Sequence, residues 1–187
     1  LLIRPVWDDD YDAGDRAVLN IEPGLAFGSG GHDTTRLCLE TLEKHITPET
    51  ELLDIGCGSG ILGVAGLLLG AKSATGVDID ELAVKTAREN GEMNGFTEPK
   101  FTVFQGNLTD KVTGKYDVVV ANIVADIIVM FTENVGKFLK DDGVYITSGI
   151  IDTREQDVLD AFEKYGFEVI GRHESCGWLC FETRLKK

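Results

Sequence analysis

The stretch Leu52-Leu53-Asp54-Ile55-Gly56-Cys57-Gly58-Ser59-Gly60-Ile61-Leu62-Gly63 decides the fold. Its apolar start reads as a strand, and its apolar end opens a run that reads as a helix over residues 60–69. Gly58, Gly60 and Gly63 spell G-x-G-x-x-G across the strand-to-helix turn, where missing side chains let the backbone approach a cofactor. An acid, Asp78, stands at the end of the next strand-like run, where a carboxylate can accept both hydroxyls of a ribose. Taken alone, these features fit a nicotinamide dehydrogenase, a plain tight turn in a flavodoxin-like fold, or a nucleoside cofactor of another kind.

Asp54 separates these readings. It stands at the end of the first strand, against the mouth of the loop. A dinucleotide places a pyrophosphate there, and an unpaired carboxylate repels phosphate. S-adenosylmethionine has no phosphate; it places a methionine tail there, whose ammonium a carboxylate favours directly or through water. Gly56, Gly58 and Gly60 then serve as the close-approach surface for that cofactor. The remote alternatives are the dehydrogenase and a module that binds the cofactor without turnover.

Outward from this stretch, strands and helices alternate. Strand-like runs lie at residues 52–55, 74–77, 101–104, 116–121, 144–147, 167–171 and 178–183. Helix-like runs lie at 60–69, 80–94, 125–139 and 154–165. The pattern predicts an α/β fold with a doubly wound, mostly parallel seven-stranded sheet. Only residues 174–177 separate the last two runs, too few for a helix, so these strands form a C-terminal antiparallel hairpin at the sheet edge. Residues 1–31 read as irregular, with an acidic run from Asp8 to Asp10. A helix is expected to start near Asp33 or Thr34, both capable N-caps, and to end before Pro48. The whole chain, 1–187, reads as one domain, with 1–50 as an N-terminal segment and pocket loop and 51–187 as the core. The chain opens on Leu1, which places the expected native start upstream.

Composition narrows the partners. The 187 residues are 43% hydrophobic with a formal net charge of −14, ordinary in apolar content and strongly acidic. An acidic surface disfavours tight non-specific nucleic-acid binding and suits a basic protein partner. Apolar runs are too short to span a bilayer and no signal peptide is visible, so a cytoplasmic location is expected. Cys38, Cys57, Cys176 and Cys180 form no CxxC pair and have no histidine at ligand spacing, so no metal is expected and reduced thiols fit.

Further candidates sit at the ends of strands. Asn107 follows the third strand of the core, where its amide could meet an adenine amine or simply make a turn. Asp80 competes with Asp78 but is better placed as the N-cap of the next helix. Asn122 ends the fourth strand of the core; its amide oxygen can accept from an attacking amine, and contact with the cofactor alone is the rival role. His32 reads as lining the pocket or ordering the glycine-rich loop more readily than as a base. Cys57 has no base beside it to make it a nucleophile. Trp178 reads as a core residue of the edge strand or as part of an acceptor pocket.

These residues resemble one family. The run Pro23-Gly24-Leu25-Ala26-Phe27-Gly28-Ser29-Gly30-Gly31-His32-Asp33-Thr34-Thr35 is similar to the P-G-x-A-F-G-T-G-x-H-x-T-T signature of the ribosomal protein L11 methyltransferases, called PrmA. Asp54 to Gly60 matches that family's D-x-G-C-G-S-G, and Val120 to Asp126 its V-A-N-I-x-A-D. Ser148-Gly149-Ile150 and Gly166-Phe167 also fit. The resemblance implies a class I, Rossmann-like methyltransferase in which Thr35, Gly56, Asp78 and Asn122 contact S-adenosylmethionine. It implies that the loop from Phe27 through Gly28 to His32 lines the cofactor and acceptor pocket. The implied acceptor is the ribosomal protein, methylated on its N-terminal amine and lysine side chains; another protein, a small molecule or RNA are the alternatives. Ser29 stands where the family has Thr, and Gly177 where it has Glu. The family's N-terminal substrate-recognition domain has no counterpart in these 187 residues.

Overall fold

A computed structural model of the chain describes residues 1–7, 12–22, 24, 27–108 and 110–187. The acidic run Asp8 to Asp10, and Pro23, Leu25 and Ala26 of the glycine-rich motif, lie outside the described residues.

The chain opens with strands β1 (Leu2–Pro5) and β2 (Val18–Ile21), then helix α1 (Asp33–His45). The core follows as β3 (Glu51–Ile55), α2 (Ile61–Leu68), β4 (Ser73–Asp78), α3 (Glu81–Met93), β5 (Phe101–Gln105), β6 (Tyr116–Asn122), α4 (Ala125–Val135), β7 (Leu139–Ile151), α5 (Glu155–Lys164), β8 (Phe167–Ser175) and β9 (Trp178–Leu185). The seven-stranded sheet runs β5-β4-β3-β6-β7-β9-β8. Strands β3 to β7 pair in parallel, while β9 runs antiparallel to both β7 and β8. This is the expected architecture, hairpin included. The hairpin turns at Cys176 and Gly177, with φ of 49° and 77°. Positive φ at both central residues is the turn whose twist matches two antiparallel strands.

Alternation explains the layers. Leu52 joins the apolar cluster under α1, α2 and α3, while Leu53 and Ile55 join the cluster under α4 and α5. Successive side chains of a strand point to opposite faces, so a strand covered on both sides is apolar throughout. Helix α2 is buried along most of its length, and Gly66 lets it lie close: a Cβ there would meet Leu52 at 2.5 Å. Glu182 on β9 ties the hairpin to α1. His45, Lys44 and His173 all bond its carboxylate and, against the raising effect of burial, hold it down to about 2.

Three expectations need correction. Residues 1–31 are not wholly irregular, because β1 and β2 form a parallel two-stranded ribbon. Leu19 and Ile21 of that ribbon are fully buried against α2 and α3, and this tertiary burial, not local sequence, makes the strand. Helix α1 begins at Asp33 but is capped by His32, whose Nδ1 accepts from the Thr34 amide at 3.2 Å. The helix expected over 125–139 ends at Val135, where Gly136 opens a short 3₁₀ turn.

Candidate functional site

The sheet order reverses between β3 and β6, and the carboxyl ends of these two strands open a crevice. Gly56 follows β3 and Asn122 ends β6, so the glycine loop and Asn122 face one another across it. A cavity of about 520 Å³ lies there, within the range that holds a cofactor-sized ligand. Gly56, Gly58, Asp78, Asn107 and Asn122 line it, as do Phe27 and the apolar Ile79, Leu108 and Met130. The charged groups among its lining residues are Asp78 and Asp80; they include no Lys, Arg or His.

The loop itself is turned inward. Gly56 and Cys57 donate their N–H groups to the Val77 carbonyl at 2.8 and 3.0 Å. Gly58 donates to Oδ2 of Asp78 at 2.9 Å, Ser59 to the Phe27 carbonyl at 2.9 Å, and Gly60 to the Cys57 carbonyl at 2.8 Å. A phosphate-binding loop aims such donors at its ligand. Here each is already engaged by the protein, so the loop offers a close-fitting backbone surface rather than an anion cradle. The fit is tight: a Cβ on Gly58 would lie 2.6 Å from the Phe27 carbonyl oxygen, and one on Gly56 would lie 2.5 Å from Ile123.

Asp54 and Gly60 do not line this cavity. Asp54 shares the face of Leu52, lies beneath α2 at 1% exposure, and accepts from the Gly63 amide at 3.1 Å. Burial raises its pKa to about 7, the Gly63 hydrogen bond opposing and nearby Asp78 adding to the rise. The carboxylate expected at the loop mouth therefore lies behind the loop, out of the cavity. Gly60 is the left-handed N-cap of α2, where a Cβ would meet Ala87 at 2.9 Å. Asp80 caps α3 through the Leu82 amide at 2.9 Å, as its position suggested, and also reaches the cavity wall.

A slot of about 10 Å³ between loop and α1 brings Thr35, Gly28, Gly58 and Asn122 together. The Asn122 amide nitrogen points to the Thr35 hydroxyl at 3.5 Å, which leaves Oδ1 free to accept from another group. A second opening of about 210 Å³ shares Phe27, Asn122, Ile123 and Val124 with the cavity and is lined besides by His32, Thr34, Gly149 and Trp178. Its wall is aromatic: the His32 ring lies 5.7 Å from Phe27 and 5.0 Å from Trp178, edge to face in both. Trp178 is thus a half-buried pocket residue and not the core residue of the edge strand that was the simpler expectation, because β9 pairs with both β7 and β8 and leaves β8 at the edge. His32 spends Nδ1 on Thr34, as the cap of α1.

Gly149, Ile123 and Val124, which the sequence offered only as parts of family motifs, also line the opening beside Asn122. Gly149 adopts φ of 85° at a bulge between β7 and β9, where a Cβ would meet the Ile123 carbonyl oxygen at 2.4 Å. Bulges re-aim a strand beside a site. The signal was the glycine inside the apolar run Val144 to Ile151.

A family model described as ribosomal protein L11 methyltransferase (PrmA) matches residues 1–186. A ribosomal protein L11 methyltransferase of Clostridium perfringens is 44% identical over 186 residues, covering 100% of this chain and 59% of that protein. The chain therefore spans 59% of the length of that curated relative. The crystal structure of a ribosomal protein L11 methylase from Lactobacillus delbrueckii subsp. bulgaricus matches with a TM-score of 0.92 and 31% identity, covering 99% of this chain and 94% of that one. A tRNA methyltransferase of B. subtilis matches at a TM-score of 0.66 and 18% identity, covering 79% of this chain and 65% of that one, which shows a shared fold alone.

Proposed function

The chain belongs to the ribosomal protein L11 methyltransferase family, and we propose that it methylates amines of that ribosomal protein with S-adenosylmethionine as donor. The observation that carries the cofactor reading is the inward-turned glycine loop beside a cavity whose lining charges are carboxylates. Such a site disfavours a pyrophosphate and suits a cofactor with no phosphate and a net positive tail. The family and the Rossmann-like fold imply the same donor.

The residues divide the work as follows. Asp78 accepts hydrogen bonds from the ribose hydroxyls, and Asn107 stands at the adenine side with apolar Ile79 and Leu108. Gly56, Gly58, Gly28 and Thr35 bound the methionine end, and Asp54, once ionised at and above about pH 7, adds a negative potential from behind the loop. When bound, the cofactor supplies a methyl group on a sulfonium, an already good leaving group. Asn122 lines both openings, where its Oδ1 can accept from an amine and hold the nitrogen lone pair toward the cofactor cavity. Phe27, His32 and Trp178 enclose the stem of the entering side chain and exclude water. His32, committed to its helix cap, lines the wall and is not assigned as base.

The acidic net charge of −14 favours a basic acceptor protein, and a cytoplasmic location follows from a ribosomal substrate. No helix among the described residues is long and apolar enough to cross a membrane. Residues 1–187 are assigned to one cofactor-binding domain. Calorimetry with S-adenosylmethionine and with NAD in parallel tests the donor. Binding of S-adenosylmethionine with no response to NAD is expected; the opposite pattern would sink the reading.

A further inference from the structure

Two asparagines, Asn90 of α3 and Asn94 at its C-cap, stand outside the cofactor cavity and yet hold its edge. Asn90 and Asn94 are one helical turn apart, so their side chains share a face. Asn94 accepts from the Asn20 amide at 2.9 Å and donates to the Asn20 carbonyl at 2.7 Å. Asn90 does the same to Glu22: its Oδ1 accepts from the Glu22 amide at 2.9 Å, and its Nδ2 donates to the Glu22 carbonyl at 3.0 Å. The two amides thus take the place of a neighbouring strand along β2 and its exit. Asn90 alone goes further. Its Nδ2 also donates to the Ser59 carbonyl in the glycine loop at 2.8 Å, and it is fully buried.

Ser59 completes the connection. Its amide donates to the Phe27 carbonyl at 2.9 Å, and its hydroxyl donates to the Gly28 carbonyl at 2.7 Å. A Cβ on Gly28 would lie 2.6 Å from that hydroxyl oxygen, so the Gly28 backbone packs directly on the Ser59 side chain. One side-chain amide therefore bonds both the point where the chain leaves β2 and the loop residue that grips Phe27 and Gly28. Phe27 lines both the cofactor cavity and the aromatic opening beside Asn122.

We propose that Asn90 is a positioning residue for the transfer reaction: through Glu22 and Ser59 it fixes the Phe27–Gly28 wall of the acceptor opening in register with the glycine loop. The proposal rests on the methyltransferase reading given above. The cofactor loop has braces of its own, from Gly56 and Cys57 to Val77 and from Gly58 to Asp78. Loss of Asn90 should therefore disturb the acceptor wall more than the cofactor cavity. Misplacement of a wall by a fraction of a bond length is enough to lower turnover when catalysis rests on alignment.

The isosteric variant Asn90→Asp keeps an acceptor for the Glu22 amide but sets a carboxylate oxygen against the Glu22 and Ser59 carbonyls. Asn94→Ala loosens β2 without touching the loop and serves as the control. Ser59→Ala removes only the last link to Gly28 and covers the case in which Asn90→Asp folds poorly. The readouts are kcat and acceptor KM with purified ribosomal protein L11, S-adenosylmethionine affinity by calorimetry, and amide hydrogen exchange at Ser59 and Cys57 by NMR. Asn90→Asp should lower kcat/KM for the acceptor by about tenfold or more, with cofactor affinity changed by less than about threefold. Ser59 exchange should speed up by about tenfold while Cys57, bonded to Val77, stays protected. Ser59→Ala should reproduce the kinetic split in milder form, and Asn94→Ala should show neither effect. Unchanged Ser59 exchange and unchanged kinetics in Asn90→Asp, or an equal loss in Asn94→Ala, would overturn the proposal. Absence of any methyl transfer by the unaltered chain would instead overturn the functional reading beneath it.

Discussion

The backbone N–H of Gly58 donates to the Asp78 carboxylate at 2.9 Å, joining the glycine loop to the end of the next strand. In the sequence these are two motifs, twenty residues apart; in the structure they are one hydrogen-bonded unit. The other Asp78 oxygen accepts from the Asp80 amide at 3.0 Å, which fixes the carboxylate at the cavity wall.

Asp78→Ala should weaken S-adenosylmethionine binding by about 1.5–3 kcal/mol, because charge-assisted hydrogen bonds to ribose and a brace on the loop are lost together. Asp80→Ala should act mainly on stability, by about 1 kcal/mol, through loss of the α3 cap. Calorimetry and thermal unfolding of both variants separate the two effects. A larger binding loss in Asp80→Ala would assign the ribose to the wrong carboxylate.

Asn122→Ala should lower kcat by about a hundredfold if the amide aligns the attacking amine. Cofactor affinity should fall much less, because Asp78 and the loop remain. Steady-state kinetics with calorimetry on the same protein distinguishes the roles. A drop in affinity that matches the drop in kcat/KM would make Asn122 a cofactor contact only.

Asp54 has a sign that can be worked out. Its folded pKa is raised to about 7, chiefly by burial, from an ordinary 3.8. Between these values the folded state holds a proton that the unfolded chain has released. Stability from this group is therefore greatest below the ordinary carboxylate range and falls as pH rises through the window to about 7. The full fall is on the order of 4 kcal/mol. Asp54→Asn can still accept from the Gly63 amide and should flatten the stability profile over that window. Urea unfolding at a series of pH values measures this; a variant with the same slope as the unaltered chain would remove Asp54 as its source. Above about pH 7, where Asp54 is ionised, the same variant should bind S-adenosylmethionine more weakly than the unaltered chain, and below that pH the two should bind alike.

Much of this was legible in the sequence, for identifiable reasons. The doubly wound sheet follows from periodicity and from short gaps, and the hairpin from a connection that admits no helix. Asp78, Asn122 and the glycines could be placed because strand ends of such a sheet converge at the point where its order reverses. Family resemblance placed Phe27 and His32 at the pocket, while Trp178 was read there only as the alternative to a core residue of the edge strand, since the three meet only in space. The ribbon β1–β2 was not legible, because its free edge is satisfied by side-chain amides of Asn90 and Asn94, which lie 68 and 74 positions along the chain from their partners. The cap at His32 escaped because Asp33 and Thr34 beside it are the commoner capping types. The seat of Asp54 was readable in principle: it shares the parity of Leu52, and that parity faces α2.

The most direct measurement is the location of transferred methyl groups. The chain is incubated with S-adenosylmethionine and purified ribosomal protein L11, and the products are mapped by mass spectrometry. New methyl groups are expected on lysine side chains and the N-terminal amine of the acceptor, with matching release of S-adenosylhomocysteine. Asn122→Ala should abolish most of this signal while still binding the cofactor. Cofactor binding with no methyl group on any amine of the protein, or transfer to RNA in preference to protein, would contradict the proposed function.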